Sequence, residues 1–153
     1  MVRCAVALGS NLGDRRAHLD FAAARLQPLL HRLRVSRYHE TVPVGAAEPQ
    51  PLYLNAAAVG DTALTARELL EAVLAIEQER GRERPYANAP RTLDLDVILY
   101  GDRVIDEPGL IVPHPRFRER RFVLEPLAEI APEMRDPVTG QTVSQLLERV
   151  TGA

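Results

Sequence analysis

The sequence predicts an α+β protein, with helices laid against a mostly antiparallel sheet. Extended apolar stretches and capped helical stripes follow one another in the order βαβ-β-αββ with a helical tail, and turns rich in glycine or proline separate them. Arg3 to Leu8 reads as a strand of small apolar residues, ended by Gly9-Ser10-Asn11-Leu12-Gly13, which has the residue types of a turn. Asp14 can then cap a helix whose stripe is Leu19, Ala22, Leu26, Leu29 and Leu33, with Pro28 expected to kink or shorten it. Val35 to Thr41 looks extended, and a proline-rich stretch from Val42 to Pro51 joins it to another strand, Leu52 to Val59, so that the pair can form an antiparallel ribbon. Thr65 with Glu68 makes a capping box opening a helix with Leu69, Val73 and Ile76 on its apolar stripe, and Gly81 stops it. After an arginine-bearing loop, Arg82 to Arg91, the run Thr92 to Tyr100 reads as a strand that turns at Gly101-Asp102 into Val104-Ile105 as a hairpin. Short helices around Phe122 to Leu127 and Thr142 to Val150 form the tail, the second opened by a Thr142/Gln145 capping box. The architecture expected is a ferredoxin-like α/β sandwich.

A chain of 153 residues is the size of one ordinary domain, so residues 1–153 are expected to fold as one. No apolar run approaches the roughly 20 residues that span a bilayer, and the N-terminus runs from a short apolar stretch straight into a turn, unlike a secretory signal. A cytoplasmic location is the default expectation, with no membrane partner. The lone cysteine, Cys4, excludes a disulfide or a cysteine metal cluster within the chain and reads as a small buried hydrophobe. A net charge of -2 argues against a generic nucleic-acid binder. All 19 basic residues are arginine, which removes Schiff-base lysines, lysine bases and the lysine-bearing phosphate loop from consideration.

The chemistry is expected at Leu93-Asp94-Leu95-Asp96-Val97. Strand alternation sends both carboxylates to one face and the apolar side chains to the other, with the aspartate Cα atoms roughly 6.6 Å apart. Their oxygens can converge on one or two hard cations, for which a separation of about 3.5–4 Å is usual in two-metal sites. An isolated Asp-x-Asp more often lines a solvated strand face. Here, however, Arg82, Arg84 and Arg91 precede it and His114, Arg116, Arg118, Arg120 and Arg121 follow within one short loop. Arginine forks suit phosphate oxygens, and Mg²⁺ held by one or two carboxylates completes its shell with water and substrate phosphates, so a polyphosphate would satisfy both groups.

Four segments in their order and spacing, Gly9-Ser10-Asn11-Leu12, Tyr53-Leu54-Asn55-Ala56, Pro90-Arg91-Thr92-Leu93-Asp94-Leu95-Asp96 and Val112-Pro113-His114-Pro115, resemble the hydroxymethyldihydropterin pyrophosphokinase family over nearly the whole chain. The resemblance implies transfer of the β,γ-diphosphoryl group of ATP to the hydroxymethyl group of 6-hydroxymethyl-7,8-dihydropterin, yielding AMP, in folate biosynthesis, with two Mg²⁺ ions held by Asp94 and Asp96. It implies that Tyr53 and Phe122 sandwich the pterin ring, that Asn55 bonds its edge, that backbone near Thr41, Pro43 and Val44 completes the pocket, and that Asn11 braces the wall. For ATP it assigns Glu77, Arg91, Ile98, His114 and Arg120, and for the transferring group Arg82 and Arg91. Small-molecule substrates alone, and a monomer, are what the family suggests. The chain departs from the family at several places. It has no tryptophan before Pro90-Arg91, leaving Tyr86 as a candidate apolar cover. Gly109 and Ile111 stand where relatives place a phosphate-binding arginine and a threonine, so either Arg116 or Arg118 compensates or the contact is lost, and Pro115 replaces an aromatic.

Two other readings compete. A metal-dependent phosphohydrolase would use the same aspartates to activate water and would turn over ATP without pterin. A ferredoxin-like RNA-binding sheet would need aromatics on its open face and a basic surface, which an aromatic-poor, slightly acidic chain does not supply.

Overall fold

The structure, a computed structural model, describes residues 1–42, 52–81 and 92–151. Its order is β1 (Val2–Ser10), α1 (Arg15–Leu26), β2 (His31–Val35), β3 (His39–Thr41), β4 (Tyr53–Thr62), α2 (Ala66–Glu79), β5 (Asp94–Tyr100), β6 (Ile105–Glu107), β7 (Leu110–Val112), a 3₁₀ turn at Phe117–Glu119, α3 (Arg121–Ile130) and α4 (Val143–Thr151). The main sheet runs β2-β4-β1-β5, with β3 also paired to β4, and every pairing is antiparallel. The α+β class and the helix-covered sheet therefore follow the expectation.

Period-two alternation divides the sheet between two cores. Cys4, Val6 and Leu8 of β1, Ala56 and Ala58 of β4, and Leu95 and Val97 of β5 face α1 and α2, meeting Leu19, Ala22 and Leu26 and Leu69, Val73 and Ile76. Ala5, Ala57, Val59, Ile98 and Leu99 face the other way, onto Val123, Leu124, Leu127 and Ile130 of α3 and Val143 and Leu146 of α4. Ile98 and Leu99 share that second face because β5 carries a bulge: Val6 pairs with Val97 and Ala5 with Leu99, leaving Ile98 as the extra residue. The second layer covers only the far end of its face. The near end, where β1 ends and β4 and β5 begin, is left for the site.

Side-chain caps account for the starts of α1, α2 and α4. The Asp14 side chain accepts from the Ala17 N–H, and the Thr65/Glu68 capping box is complete, with bonds of 3.1 and 2.9 Å. The Thr142/Gln145 box likewise closes in both directions, at 2.8 and 3.1 Å.

Three expectations are corrected. The α1 stripe does not continue to Leu33: the helix ends at Leu26, the Leu29 and Leu30 N–H groups both turn back to the Leu26 carbonyl, and β2 begins at His31, because Pro28 cannot continue the helical bonding. The extended stretch from Val35 to Thr41 is two strands on the same edge of β4, and its first half starts earlier than expected. Between them Ser36 exchanges bonds with Ala57 through its N–H and its hydroxyl, both 2.9 Å. Lastly, β5 does not form a hairpin with Val104-Ile105. Gly101, with φ +56, gives its N–H to the Arg3 carbonyl at 2.7 Å and ties the turn to β1. The chain then builds its own ribbon, β6 paired with β7 across Pro108-Gly109, where Gly109 has φ +75. A proline followed by a glycine of positive φ suits such a tight turn, a physical reason for glycine at position 109.

Gly60 lies hard against the turn that leads into β2. A Cβ there would lie 2.8 Å from Leu30 Cβ and 2.9 Å from the His31 carbonyl oxygen. Gly60→Ala is therefore expected to destabilise the protein by about 1–3 kcal/mol, read as a lower midpoint in urea unfolding. An unchanged midpoint would contradict this packing.

Candidate active site

Antiparallel register assembles the site. Asp94 pairs with Gly9, Gly9 with Asn55, and Asn55 with His39, so the four residues form one row across β5, β1, β4 and β3. One step along, Asp96 pairs with Ala7, and Ala7 with Ala57. Alternation places Asp94 and Asp96 on the face opposite Leu93, Leu95 and Val97, and both are half-buried while those three are buried. With strands about 4.8 Å apart, Asp94 and Asn55 lie roughly 10 Å from one another across the intervening β1.

The intervening residue has to be small. A Cβ on Gly9 would come within 3.3 Å of Asn55 Oδ1 and 3.6 Å of Tyr53 Cδ1, so glycine lets the Tyr53 ring and the Asn55 amide lie down over β1. Asn55, 6% exposed, donates from Nδ2 to Thr41 Oγ1 at 2.5 Å, which orients the amide. Asn11, immediately after β1, is fully buried. Across from Thr41 stands Phe122 on α3, its ring under the Arg120 guanidinium at 5.5 Å from the centroid. A cavity of about 480 Å³ opens between β3 and α3, lined by His39, Glu40, Thr41, Val42, Arg121, Phe122, Glu125 and Pro126. That volume falls within the range of small-molecule sites.

His114 follows β7 and packs back against β5. Its N–H bonds the Ile98 carbonyl at 3.1 Å, and its Nδ1 accepts the Arg116 N–H at 3.2 Å, so the neutral ring carries its proton on Nε2. Burial lowers His114 below the ordinary imidazole value. The Arg120 guanidinium pushes the same way, the Asp94 carboxylate opposes, and Arg116 adds a further push down. These interactions set His114, Arg120, Arg116 and Asp94 in one electrostatic neighbourhood.

Several expected residues have other surroundings. Ile98 is 2% exposed within the second core, so what it offers the site is the carbonyl that seats His114. Glu77, also 2% exposed, lies beneath β5 on α2, and its Oε2 accepts the Leu95 N–H at 2.6 Å, between the two aspartates. It thereby fixes the strand that presents them. Of the two arginines proposed to compensate near Gly109, Arg118 is committed: its Nε and NH2 grip both oxygens of the fully buried Asp136. Although burial pushes the Asp136 carboxyl up, hydrogen bonds from Arg118, Thr139 and Val138 outweigh it and hold the group down at about 2. Arg116 keeps an exposed side chain whose ion pair with Glu119 is long, 4.0 Å. The expected roles of Pro43, Val44, Tyr86, Arg82, Arg84 and Arg91 lie outside the described residues. Sequence reading missed His39 and the α3 carboxylates Glu125 and Glu129. The available signals were the two-residue spacing of His39 from Thr41 and the one-turn spacing of the glutamates.

The fold and this corner define a ferredoxin-like α+β protein with a polar cleft, floored by small residues, at one end of its sheet. The model of the 7,8-dihydro-6-hydroxymethylpterin-pyrophosphokinase family matches residues 5–132, and the chain belongs to that family. It is 44% identical over 147 residues to the 2-amino-4-hydroxy-6-hydroxymethyldihydropteridine pyrophosphokinase of Synechocystis, covering 95% of this chain and 74% of that protein. To the enzyme of the same name from Pseudomonas aeruginosa it is 41% identical over 161 residues, covering 99% of this chain and 98% of the other. The Bacillus subtilis enzyme is 44% identical over 146 residues, with 92% and 84% covered. Among solved structures, a Plasmodium falciparum HPPK-DHPS chain superposes with a TM-score of 0.78 at 15% identity. The match covers 99% of this chain, which spans under half (44%) of the solved one, and it supports the fold.

The neighbourhood of His114 is testable by NMR. Its ring should titrate below 6.5, with Arg120→Ala moving the midpoint up and Asp94→Asn moving it further down. A wild-type midpoint at or above 6.5 would contradict the arrangement. Because the folded-state value of Asp136 is the lower one, its contribution to stability is full above 3.8 and is lost as pH falls towards about 2. Asp136→Asn is expected to flatten that part of the acid-unfolding curve.

Proposed function

We propose that this chain transfers the diphosphoryl group of ATP to the hydroxymethyl group of 6-hydroxymethyl-7,8-dihydropterin, giving AMP and the pterin diphosphate. Family membership makes it a pyrophosphokinase, an ATP-using transferase of folate biosynthesis. The observation that carries the residue assignment is the Asp94–Gly9–Asn55 row, which sets a carboxylate pair and a heterocycle-reading amide on one sheet face about two strand spacings apart.

In this reading Asn55, oriented by Thr41, reads the polar edge of the pterin, while Tyr53 and Phe122 supply apolar faces for its ring. Backbone near Pro43 and Val44, with Asn11 behind the wall, completes that pocket. Asp94 and Asp96 offer hard oxygen donors, spaced by strand alternation and open to the cleft, which fits Mg²⁺. Two ions held there would clamp phosphate oxygens and offset the charge that repels the incoming hydroxyl. His114 can donate from Nε2 to a phosphate oxygen, and Arg120 adds positive charge beside it. Arg82 and Arg91 are assigned to the transferring group. Glu77 and Ile98 support ATP binding from beneath, the first by fixing β5 and the second by seating His114. Arg116, whose neighbour Arg118 is held by Asp136, is the one left to take the phosphate contact missing at Gly109. The protein acts as a single-domain monomer in the cytoplasm, on small molecules and not on nucleic acid. No helix among the described residues is long and apolar enough to cross a membrane.

The test is to incubate the protein with Mg²⁺, ATP and the pterin and to separate the nucleotides. AMP is expected, with no turnover when pterin or Mg²⁺ is withheld. ADP as product, or equal turnover without pterin, would instead favour a phosphohydrolase. Asp96→Asn should lower kcat by about 10²–10³, and Asn55→Ala should lose pterin affinity while retaining ATP binding.

A further inference from the structure

His39 lies two residues before Thr41 on β3 and pairs with Asn55, so it shares the site's sheet face but stands at the sheet edge, under α3. Its ring meets two carboxylates of that helix: Nε2 is 3.2 Å from Glu129 Oε1, and Nδ1 is 3.7 Å from Glu125 Oε1. Both carboxylates are held from the other side. Arg121 Nε donates to Glu125 at 2.7 Å, while Arg37 donates to Glu129 from its backbone N at 2.9 Å and from Nε at 3.2 Å. The imidazole thus stands between two carboxylates, each of which also meets an arginine: Glu125 with Arg121 and Glu129 with Arg37.

The spacing of that bridge matters. Glu125 and Glu129 are one helical turn apart, and a ring that touches both restrains the roll of α3 about its axis as well as its height over the sheet. Phe122 lies three residues before Glu125, on the same side of the helix, and lines the same cavity as His39 and Thr41. Roll of α3 therefore sets how far the Phe122 ring stands from Thr41 and Asn55. Removal of His39 leaves the helix attached by other means. Arg34 NH1 still donates to the Ile130 carbonyl at 3.1 Å, Arg37 still binds Glu129, and Leu124 and Leu127 remain in the core.

We propose that His39 is a positioning residue for the pterin: bridged between Glu125 and Glu129, it locks the roll of α3 and so holds Phe122 at ring-stacking distance from the wall formed by Thr41 and Asn55. This rests on the pterin reading of the site. The test compares wild type, His39→Ala and His39→Gln by calorimetric titration with 6-hydroxymethyl-7,8-dihydropterin and, separately, with a non-hydrolysable ATP analogue, alongside steady-state kinetics. For His39→Ala, the pterin Kd and KM should rise about tenfold, the size expected from losing a hydrogen bond to a charged group, while ATP-analogue affinity and kcat at saturating pterin stay within about twofold. His39→Gln, which keeps a donor able to reach Glu129, should recover most of the pterin affinity. An unchanged pterin Kd in His39→Ala, equal weakening of both ligands, or a glutamine variant no better than alanine would overturn the inference while leaving the function standing. Failure of the wild-type protein to bind the pterin at all would overturn the function and the inference together.

Discussion

The antiparallel register of β5, β1 and β4 is the constraint on which the rest of the site depends. Side chains alternate along each strand, and residues paired across strands share a face, so the pairings Asp94 with Gly9 and Gly9 with Asn55 leave no freedom about which groups meet. A slip of one residue would bury both aspartates among Leu19, Leu69 and Val73 and turn Leu95 outward. The strong preference of Leu93, Leu95 and Val97 for the α1/α2 core is what prevents it. Core packing on one face thus enforces chemistry on the other.

A sheet face becomes a site only where a second layer fails to cover it. Here α3 and α4 pack on Ala5, Ala57, Val59, Ile98 and Leu99, and Gly9, Asn55 and Asp94 lie outside that apolar cluster. The bulge at Ile98 contributes, because it turns two consecutive apolar residues to the α3 side and ends the polar alternation abruptly beyond Asp96. The boundary between core and cleft is therefore written into β5 within three residues.

Many of the charged groups around the cleft are structural. Arg118 is held by Asp136, Glu77 braces the backbone of β5, Arg37 fastens the β2–β3 edge to Glu129 of α3, and Arg121 pairs with Glu125 one turn along the same helix. Charge density alone would have enlisted Arg118 and Arg121 for phosphate binding. Side-chain bonds to buried or helix carboxylates mark the groups that hold the scaffold, whereas Arg116, Arg120 and Asp94 all act on the His114 ring.

Local physics made much of this legible from residues alone. The helix caps at Asp14, Thr65 and Thr142, the alternation that opposes Asp94 and Asp96 to the leucines, and the motif strings that define the family are properties of short segments, and short segments were enough. Long-range choices were not. Whether Val104-Ile105 would pair with β5 or with Leu110–Val112 depended on a bond from Gly101 to Arg3, almost 100 residues away in the chain. Whether Arg118 was available depended on a carboxylate buried 18 residues further on, and the importance of His39 depended on a helix about 90 residues distant. Sequence by itself determined β1, β4 and β5, the capped helix starts, the acidic pair and the family, because backbone periodicity and capping act within a few residues. Tertiary structure alone decided which charges are spent on scaffolding and which face the cleft, because that depends on desolvation and on partners that only folding brings together.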